Sequence, residues 1–276
     1  MKPFFSIVIP TLNEEKFLPG LLEDLQKQKE RDFEVIVVDS LSKDKTDLVV
    51  SQYKKLLPIN FIQKKGNISQ GRNIGADLSK GEYLVFLDAD AGINTSFIGN
   101  LKKSIFNKRC LLIIPNIVPD IKEIDTDLVF KFVNMIVELS QNLNKPFSTG
   151  GSIIIEKNLF SRIGGFNDKL FLSEDHDLIQ KAQKWGVKAK FIRNLNLKFS
   201  LRRIRREGRM SLYYKYLVAT SYNIIKGDLK DKIFNYQTGG LLYSKKNNKI
   251  LPEDNIRKNL KKIKNFFNNY FPNEKI

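Results

Sequence analysis

Four short apolar runs, at residues 4–9, 33–38, 59–62 and 83–87, alternate with segments whose apolar residues recur at helical spacing. Residues 15–29 carry Leu18, Leu21, Leu22 and Leu25 on one face. Residues 44–55 carry Leu48, Val49 and Tyr53, and residues 68–79 read as a third helix. A βαβαβαβ order needs crossover connections rather than hairpins. It therefore predicts an α/β fold, a mostly parallel sheet covered by helices on both faces.

In such sheets ligands bind beyond the carboxyl ends of the strands. Polar groups gather at those ends here: Pro10-Thr11-Leu12-Asn13-Glu14-Glu15 after the first strand, Asp39-Ser40 after the second, Asp88-Ala89-Asp90 after the fourth. In extended chain, residues two apart point to the same side, so Asp88 and Asp90 can face one point. Two carboxylates that close repel each other and favour a cation between them. Hard oxygen ligands suit Mg²⁺ or Mn²⁺, with substrate phosphate and water completing the shell. A capping aspartate followed by a turn aspartate would leave the same trace in the sequence.

The middle of the chain is less regular. Residues 96–106 read as a helix and 111–115 as a strand. Residues 125–143 form a longer helix with Leu128, Phe132, Met135 or Ile136, and Leu139 on one face. Ser148-Thr149-Gly150-Gly151-Ser152 leads into a strand at 153–155. Ile163-Gly164-Gly165-Phe166 is a tight turn that needs glycine. Residues 174–185 form a helix opening on acids, which suits its positive end, and 187–192 form a further strand. Lone Cys110, beside Leu111-Leu112-Ile113-Ile114, reads as a buried small hydrophobe. With a single cysteine and a single histidine, His176, a Cys/His zinc site is not available. No run approaches the ~18 apolar residues of a spanning helix, and the N-terminus has no signal-peptide pattern. A cytoplasmic protein is expected, with peripheral contact on the membrane face as an option.

Taken in order, four segments resemble the nucleotide-sugar half of family 2 glycosyltransferases of the GT-A fold. They are Ser6-Ile7-Val8-Ile9-Pro10-Thr11-Leu12-Asn13-Glu14-Glu15, Val37-Val38-Asp39-Ser40, Arg72-Asn73-Ile74-Gly75-Ala76 and Phe86-Leu87-Asp88-Ala89-Asp90. Gly150-Gly151-Ser152, Gly164-Gly165-Phe166 and Glu174-Asp175 resemble the acceptor half. The resemblance implies a catalytic domain over residues 1–193, split into a donor half (1–92) and an acceptor half (93–193), with a basic, mainly helical region at 194–276. It further implies a metal-dependent, inverting transfer of sugar from a nucleotide-diphosphate donor, UDP favoured, to a hydroxyl of a glycan or lipid-linked acceptor. Thr11 and Glu14 should line the nucleoside, and Asp39 should accept a ring N–H of the base. Arg72 should lie near nucleoside or diphosphate; a solvated helix charge fits the sequence equally well. Asp90 should bind the metal, with Asp88 helping to hold ion and ribose. Asp175 should act as general base, with Glu174 beside it; Ser173-Glu174-Asp175 also has the composition of a helix cap. His176 is left out of the catalytic set as a local hydrogen-bonding partner.

The formal charge of +17 is uneven: residues 191–276 hold 20 Lys+Arg against 6 Asp+Glu. By resemblance, Arg202 or Arg203 is expected against the leaving diphosphate, and Ser200-Leu201 offers no histidine as a third metal ligand. Residues 255–270 have the pattern of a basic amphipathic helix, with Ile256, Leu260, Ile263 and Phe267 on one face. Tyr213, Tyr214, Tyr216 and Tyr222 lie upstream. That pattern fits an anionic membrane surface, and equally a helix packed on the domain with its lysines in water. Two rival readings remain. A haloacid-dehalogenase-type phosphatase also places Asp-x-Asp after an apolar strand, but after the first strand and not with Gly92 at the following position. A basic nucleic-acid or membrane-binding module leaves the strand-end acids without a role, and no nucleic-acid partner is expected. The missing Gly-x-Gly-x-x-Gly after the first strand argues against dinucleotide oxidoreduction, and Gly71 and Gly75 are too sparse to replace it.

Overall fold

The computed structural model describes residues 2–121, 124–150, 152–170 and 173–202. The chain divides into two compact units. The first holds every described residue through Ser200, and the second begins at Leu201.

The first unit is built on one eight-stranded sheet in the order β3-β2-β1-β4-β7-β6-β8-β5. Its strands are β1 (Phe5–Thr11), β2 (Phe33–Asp39), β3 (Ile59–Gln63), β4 (Tyr83–Leu87), β5 (Gly92–Ile93), β6 (Leu112–Pro119), β7 (Ser152–Glu156) and β8 (Lys190–Phe199). The helices are α1 (Leu18–Gln26), α2 (Thr46–Tyr53), α3 (Ile68–Leu78), α4 (Phe97–Lys108), α5 (Ile124–Ser140), α6 (Lys157–Arg162) and α7 (Glu174–Lys184). The expected βαβαβαβ half is present, and β3, β2, β1 and β4 are all parallel. Beyond β4 the sheet changes character. β7 is antiparallel to both β4 and β6, and β6 and β8 run parallel. The strand read at 187–192 starts later and runs on to Phe199 as β8, with a register shift opposite Pro115/Asn116. α1 starts three residues later than its apolar pattern, because Pro19 belongs in a helix's first turn. The two-residue β5 and the single-turn-scale α6 carry too few residues to show a period.

Strands β1, β2 and β4 are buried along nearly their whole length, as a sheet covered on both faces demands. Under the central strands, Val8, Leu84, Phe86, Ile153 and Ile155 pack with Phe160, Phe166, Leu178 and Ile179. This core holds α7 and the turn after α6 against the sheet. Helix α3 lies close on β1 because Gly75 has no side chain: a Cβ there would overlap Val8 Cγ1. At Gly71 a Cβ would meet Pro10 at 3.4 Å. Gly164 and Gly165 both have positive φ (79° and 61°), which is why the predicted turn takes glycine twice.

Helix α5 turns the apolar face read from the sequence toward solvent. Phe132, Met135, Ile136 and Leu139 are exposed, whereas Phe130, Asn134 and Val137 are buried. Asn134 earns its buried place by bonding the backbone of β6 twice, accepting from Ile117 N (3.0 Å) and donating to Ile117 O (2.7 Å).

Gly75→Ala should lower stability by ~1–3 kcal/mol through overpacking on β1. Gly20→Ala, where nothing lies within 4 Å, should be neutral or stabilising. Urea unfolding of the two variants checks this.

Candidate active site

The carboxyl end of β2 carries Asp39, fully buried and in register with Thr11 of β1. Its carboxylate accepts from Thr11 Oγ1 (3.0 Å), the Ser42 amide (2.9 Å), the Ser42 hydroxyl and, at a longer 3.4 Å, Gln63 Nε2. Two loops interlock above it. Asn13 N donates to Ser42 Oγ (2.7 Å), Lys43 N donates to Asn13 Oδ1 (2.7 Å), and Glu14 N donates to Thr46 Oγ1 (2.9 Å). Asn13 and Leu41, one in each loop, have positive φ (55° and 61°). Glu14 is buried, and its carbonyl caps α1 through Phe17 N and Leu18 N. Thr11, Glu14 and Asp39 thus stand together on one rim. With strands ~4.8 Å apart, Asp39 and Asp88 end two strands, or ~10 Å, from each other.

Arg72 of α3 organises the other side. It is 1% exposed, so the solvated-charge alternative is ruled out. Its Nη2 donates to Asp88 Oδ1 (2.9 Å), and its Nη1 donates to both Glu174 Oε1 (3.0 Å) and Asp175 Oδ1 (2.9 Å). The guanidinium carbon lies 5.2 Å from the Phe166 ring centroid. Its neighbour Asn73 completes the junction, donating from Nδ2 to Phe166 O (2.9 Å) and accepting from Phe166 N (3.0 Å). A capping box between Asn67 and Gln70 fixes the start of α3, and Asn67 Nδ2 also holds Asp168 O (2.8 Å). One helix therefore ties the end of β4 to the start of α7, with Arg72 reaching partners 102 and 103 residues away. Neither Asn73 nor the Arg72–Glu174 pair was singled out from the sequence, because only the fold brings them together.

Electrostatics follow from this crowding. Burial works against the Arg72 charge, but Asp175, Asp88 and Glu174 together hold it well above the ordinary arginine range. Burial raises Asp88, with Asp90 and Asp175 adding to the rise and Arg72 opposing it. Water reaches a third of the Asp88 side chain, which tempers the burial contribution. Glu174 is pushed up to about 7, first by burial and then by the adjacent Asp175 charge, with Arg72 pulling the other way. Ser173, which precedes it, has φ 69°, a left-handed conformation unusual outside glycine. His176 accepts from Ser148 N at Nδ1 (3.2 Å) and packs on Phe147, and burial lowers it. It anchors the segment before β7 as a neutral imidazole, the local role expected of it.

Asp90 follows β4 and adds a charge felt by Asp88. Three carboxylates, Asp88, Glu174 and Asp175, pair with one guanidinium, and Asp90 adds its charge beside Asp88; this excess of acids fits a divalent cation. Among the described residues no three His, Cys, Asp or Glu side chains are grouped to hold an ion by themselves. An ion on Asp88 and Asp90 would therefore draw its remaining ligands from phosphate and water. Arg202 is buried at the start of the second unit. Arg203, Gly151 and the basic stretch at 255–270 lie outside the described residues. A cavity of about 290 Å³ between α5, β6 and β8, lined in part by Ile117, Phe130 and Phe191, shares no residue with this site.

Residues 6–164, more than half of the chain, match the model of Glycosyl transferase family 2. The chain belongs to glycosyl transferase family 2. Over 195 residues it is 30% identical to an uncharacterized glycosyltransferase of Haemophilus influenzae, covering 64% of this chain and 60% of that one. Over 95 residues it is 37% identical to the poly(ribitol-phosphate) beta-N-acetylglucosaminyltransferase TarS of Staphylococcus aureus, covering 33% and 17%. The chain therefore spans less than two thirds of the length of each of these two relatives. The structure of S. aureus TarS 1–349 in complex with UDP-GlcNAc superposes with a TM-score of 0.60 at 22% identity, over 82% of this chain and 67% of that one. A mannosyltransferase from Pyrobaculum calidifontis in complex with GDP-Man and Mn²⁺ gives 0.63 at 19% identity, over 82% and 71%. At these identities the likeness establishes the fold, which is GT-A. Within this family 2 chain the matched segment includes the rim at Thr11 and Asp39, Arg72 and the Asp88-Ala89-Asp90 turn.

Replacing Arg72 by methionine should cost ~3–5 kcal/mol, since it leaves buried carboxylates without their counter-charge; urea unfolding reads the loss. Because the folded state raises Glu174 above its ordinary 4.5, the native protein binds more protons than the unfolded one between about 4.5 and 7. Stability should fall as pH rises through that window. Glu174→Gln should flatten the fall, as measured by thermal midpoints across pH.

Proposed function

We propose that this chain transfers a sugar from a nucleoside-diphosphate donor to an acceptor hydroxyl by a single, inverting displacement assisted by a divalent metal. One observation carries the reading. Arg72 gathers Asp88, from the donor half, and Asp175, from the acceptor half, onto one guanidinium at 2.9 Å each. A transferase needs its leaving-group site and its base together, and this junction supplies that proximity before substrate arrives.

In this reading Asp175 takes the proton of the attacking hydroxyl, and Arg72 orients it. Asp90 and Asp88 hold the ion on the diphosphate. When bound, the metal supplies Lewis-acid stabilisation of the charge that builds on the departing nucleotide. Thr11, Glu14 and Asp39 line the nucleoside. Three of the donors to the Asp39 carboxylate are short or ordinary and one, Gln63, is long. A carboxylate has about four lone-pair directions. A base that offers one ring N–H can displace Gln63, whereas a base presenting two adjacent donors would have to break a short bond as well. This favours uracil over guanine. Arg202 or Arg203 is assigned to the departing diphosphate, where a guanidinium fork suits phosphate oxygens. Donor and acceptor halves divide near residue 92; the catalytic domain, expected to end at 193 before a basic region over 194–276, carries on through the rest of β8, which residue 193 would cut in two. The acceptor is a glycan or a lipid-linked sugar. No helix among the described residues is long and apolar enough to cross a membrane. A lipid-linked acceptor would be met at a bilayer surface.

UDP should bind in the presence of Mn²⁺ or Mg²⁺ and weaken when chelator removes the metal. Titration calorimetry that finds equal affinity in both conditions removes the ion from the mechanism. Asp175→Asn should keep UDP affinity and lose sugar transfer by at least ~10²-fold. A variant with normal turnover would discard Asp175 as the base.

A further inference from the structure

The exposed face of α5 is an apolar surface that the proposed chemistry leaves without a role. At ~100° per residue, Phe132, Met135, Ile136 and Leu139, with Leu143 in the turn that follows, fall within an arc of ~100°. All five are 38–62% exposed. The opposite arc holds Phe130, Asn134, Val137 and Gln141, all buried. The helix thus has one apolar face spent on the core and a second facing outward. Contiguous exposed apolar surface of this kind marks an interaction site.

The surroundings say what kind. Gln183 Nε2 donates to Leu143 O (2.8 Å), which brings the C-terminal end of α7 beside the end of the stripe. There stands Trp185, 59% exposed. Exposed Lys145 and Lys184 flank that end, and Lys188 follows. Two acids of α5 are paired with basic side chains. Asp127 pairs with Lys131 (2.7 Å) and Glu138 with Arg193 (2.9 Å). An apolar stripe ending in an amphipathic ring and lysines is the make-up of a helix lying in a bilayer interface. Charge decides between a bilayer and a second copy. The exposed lysines around Trp185, Lys145, Lys184 and Lys188, would bring like charges together in a symmetric pair of copies, whereas an anionic surface attracts them.

We propose that α5 and Trp185 form a membrane-docking surface, with Phe132, Met135, Ile136, Leu139 and Leu143 entering the headgroup boundary of an anionic bilayer. This extends the lipid-linked acceptor of the preceding section by naming the element that meets the lipid, and its test does not depend on sugar transfer. A helix so placed would hold the segment that follows it, which carries Phe147 and Ser148 against His176, close to the surface.

Trp185 is the only tryptophan of the chain and reports from the surface itself. The full chain is mixed with vesicles of equal parts phosphatidylcholine and phosphatidylglycerol, and separately with phosphatidylcholine alone. With the anionic vesicles the protein should co-float, its emission should shift to the blue, and brominated lipid should quench it. The double variant Met135→Glu/Leu139→Glu should lose vesicle partitioning by at least about tenfold. Leu48→Glu, at an exposed leucine outside the stripe, should keep it. Matching thermal midpoints confirm that the variants are folded. Three results would overturn the proposal: no flotation of the parent chain, flotation without quenching of Trp185, or a dimer by light scattering that the double variant dissolves in the absence of lipid. The second places the lipid contact elsewhere in the chain, and the third gives the stripe to a second copy.

Discussion

A single buried guanidinium sets the arrangement of this protein's polar centre. Arg72 has almost no water contact, so its charge must be met by carboxylates, and Asp88, Glu174 and Asp175 meet it. Burying one charge alone would cost several kcal/mol, and the ion pairs offset that only because their geometry is close. Each acid depends in turn on Arg72. The end of β4 and the start of α7 are therefore locked to one point on α3. The close seat of α3 on β1, which Gly75 permits, fixes that point relative to the sheet. Stability and site assembly are in this respect the same interaction.

The cluster is also charged beyond what Arg72 can balance. Asp88, Glu174 and Asp175 share one guanidinium, and burial, with the adjacent Asp175 charge, pushes Glu174 up to about 7. On the proposed function, such a cluster would meet a cation carried by the donor diphosphate. The rim at the end of β2 is different in kind. Asp39 is surrounded by neutral donors and interlocked loops, which suits recognition of a base by hydrogen bonds. The rim thus grades from neutral recognition at β2 to strong fields at β4 and α7.

Much of the donor half was legible in the sequence. Apolar strands alternate with periodic helices there, and each strand end exposes its polar residue within a few positions. Thr11 and Asp39 meet because adjacent parallel strands end in register. Other features were not legible, for physical reasons. Arg72 reads the same as any helix-surface arginine until partners 102 and 103 residues away are brought to it. Asn73 looks like a helix-interior polar residue and instead grips the backbone of Phe166. Helix α5 is apolar on both sides, so its period could not say which face is buried. The structure buries the face that includes Asn134 because that side chain satisfies the backbone of β6. Residues after Arg202 lie outside the described structure, and their basic pattern remains a reading of sequence.

The account holds that acids from separate strands and helices converge on one nucleotide-sugar site with a shared ion. Manganese anomalous scattering from crystals grown with UDP tests this most directly. The account predicts one manganese peak touching Asp90 or Asp88 and the diphosphate, with the uracil against Asp39. Manganese bound away from both aspartates, or UDP seated on a different face of the sheet, would contradict it.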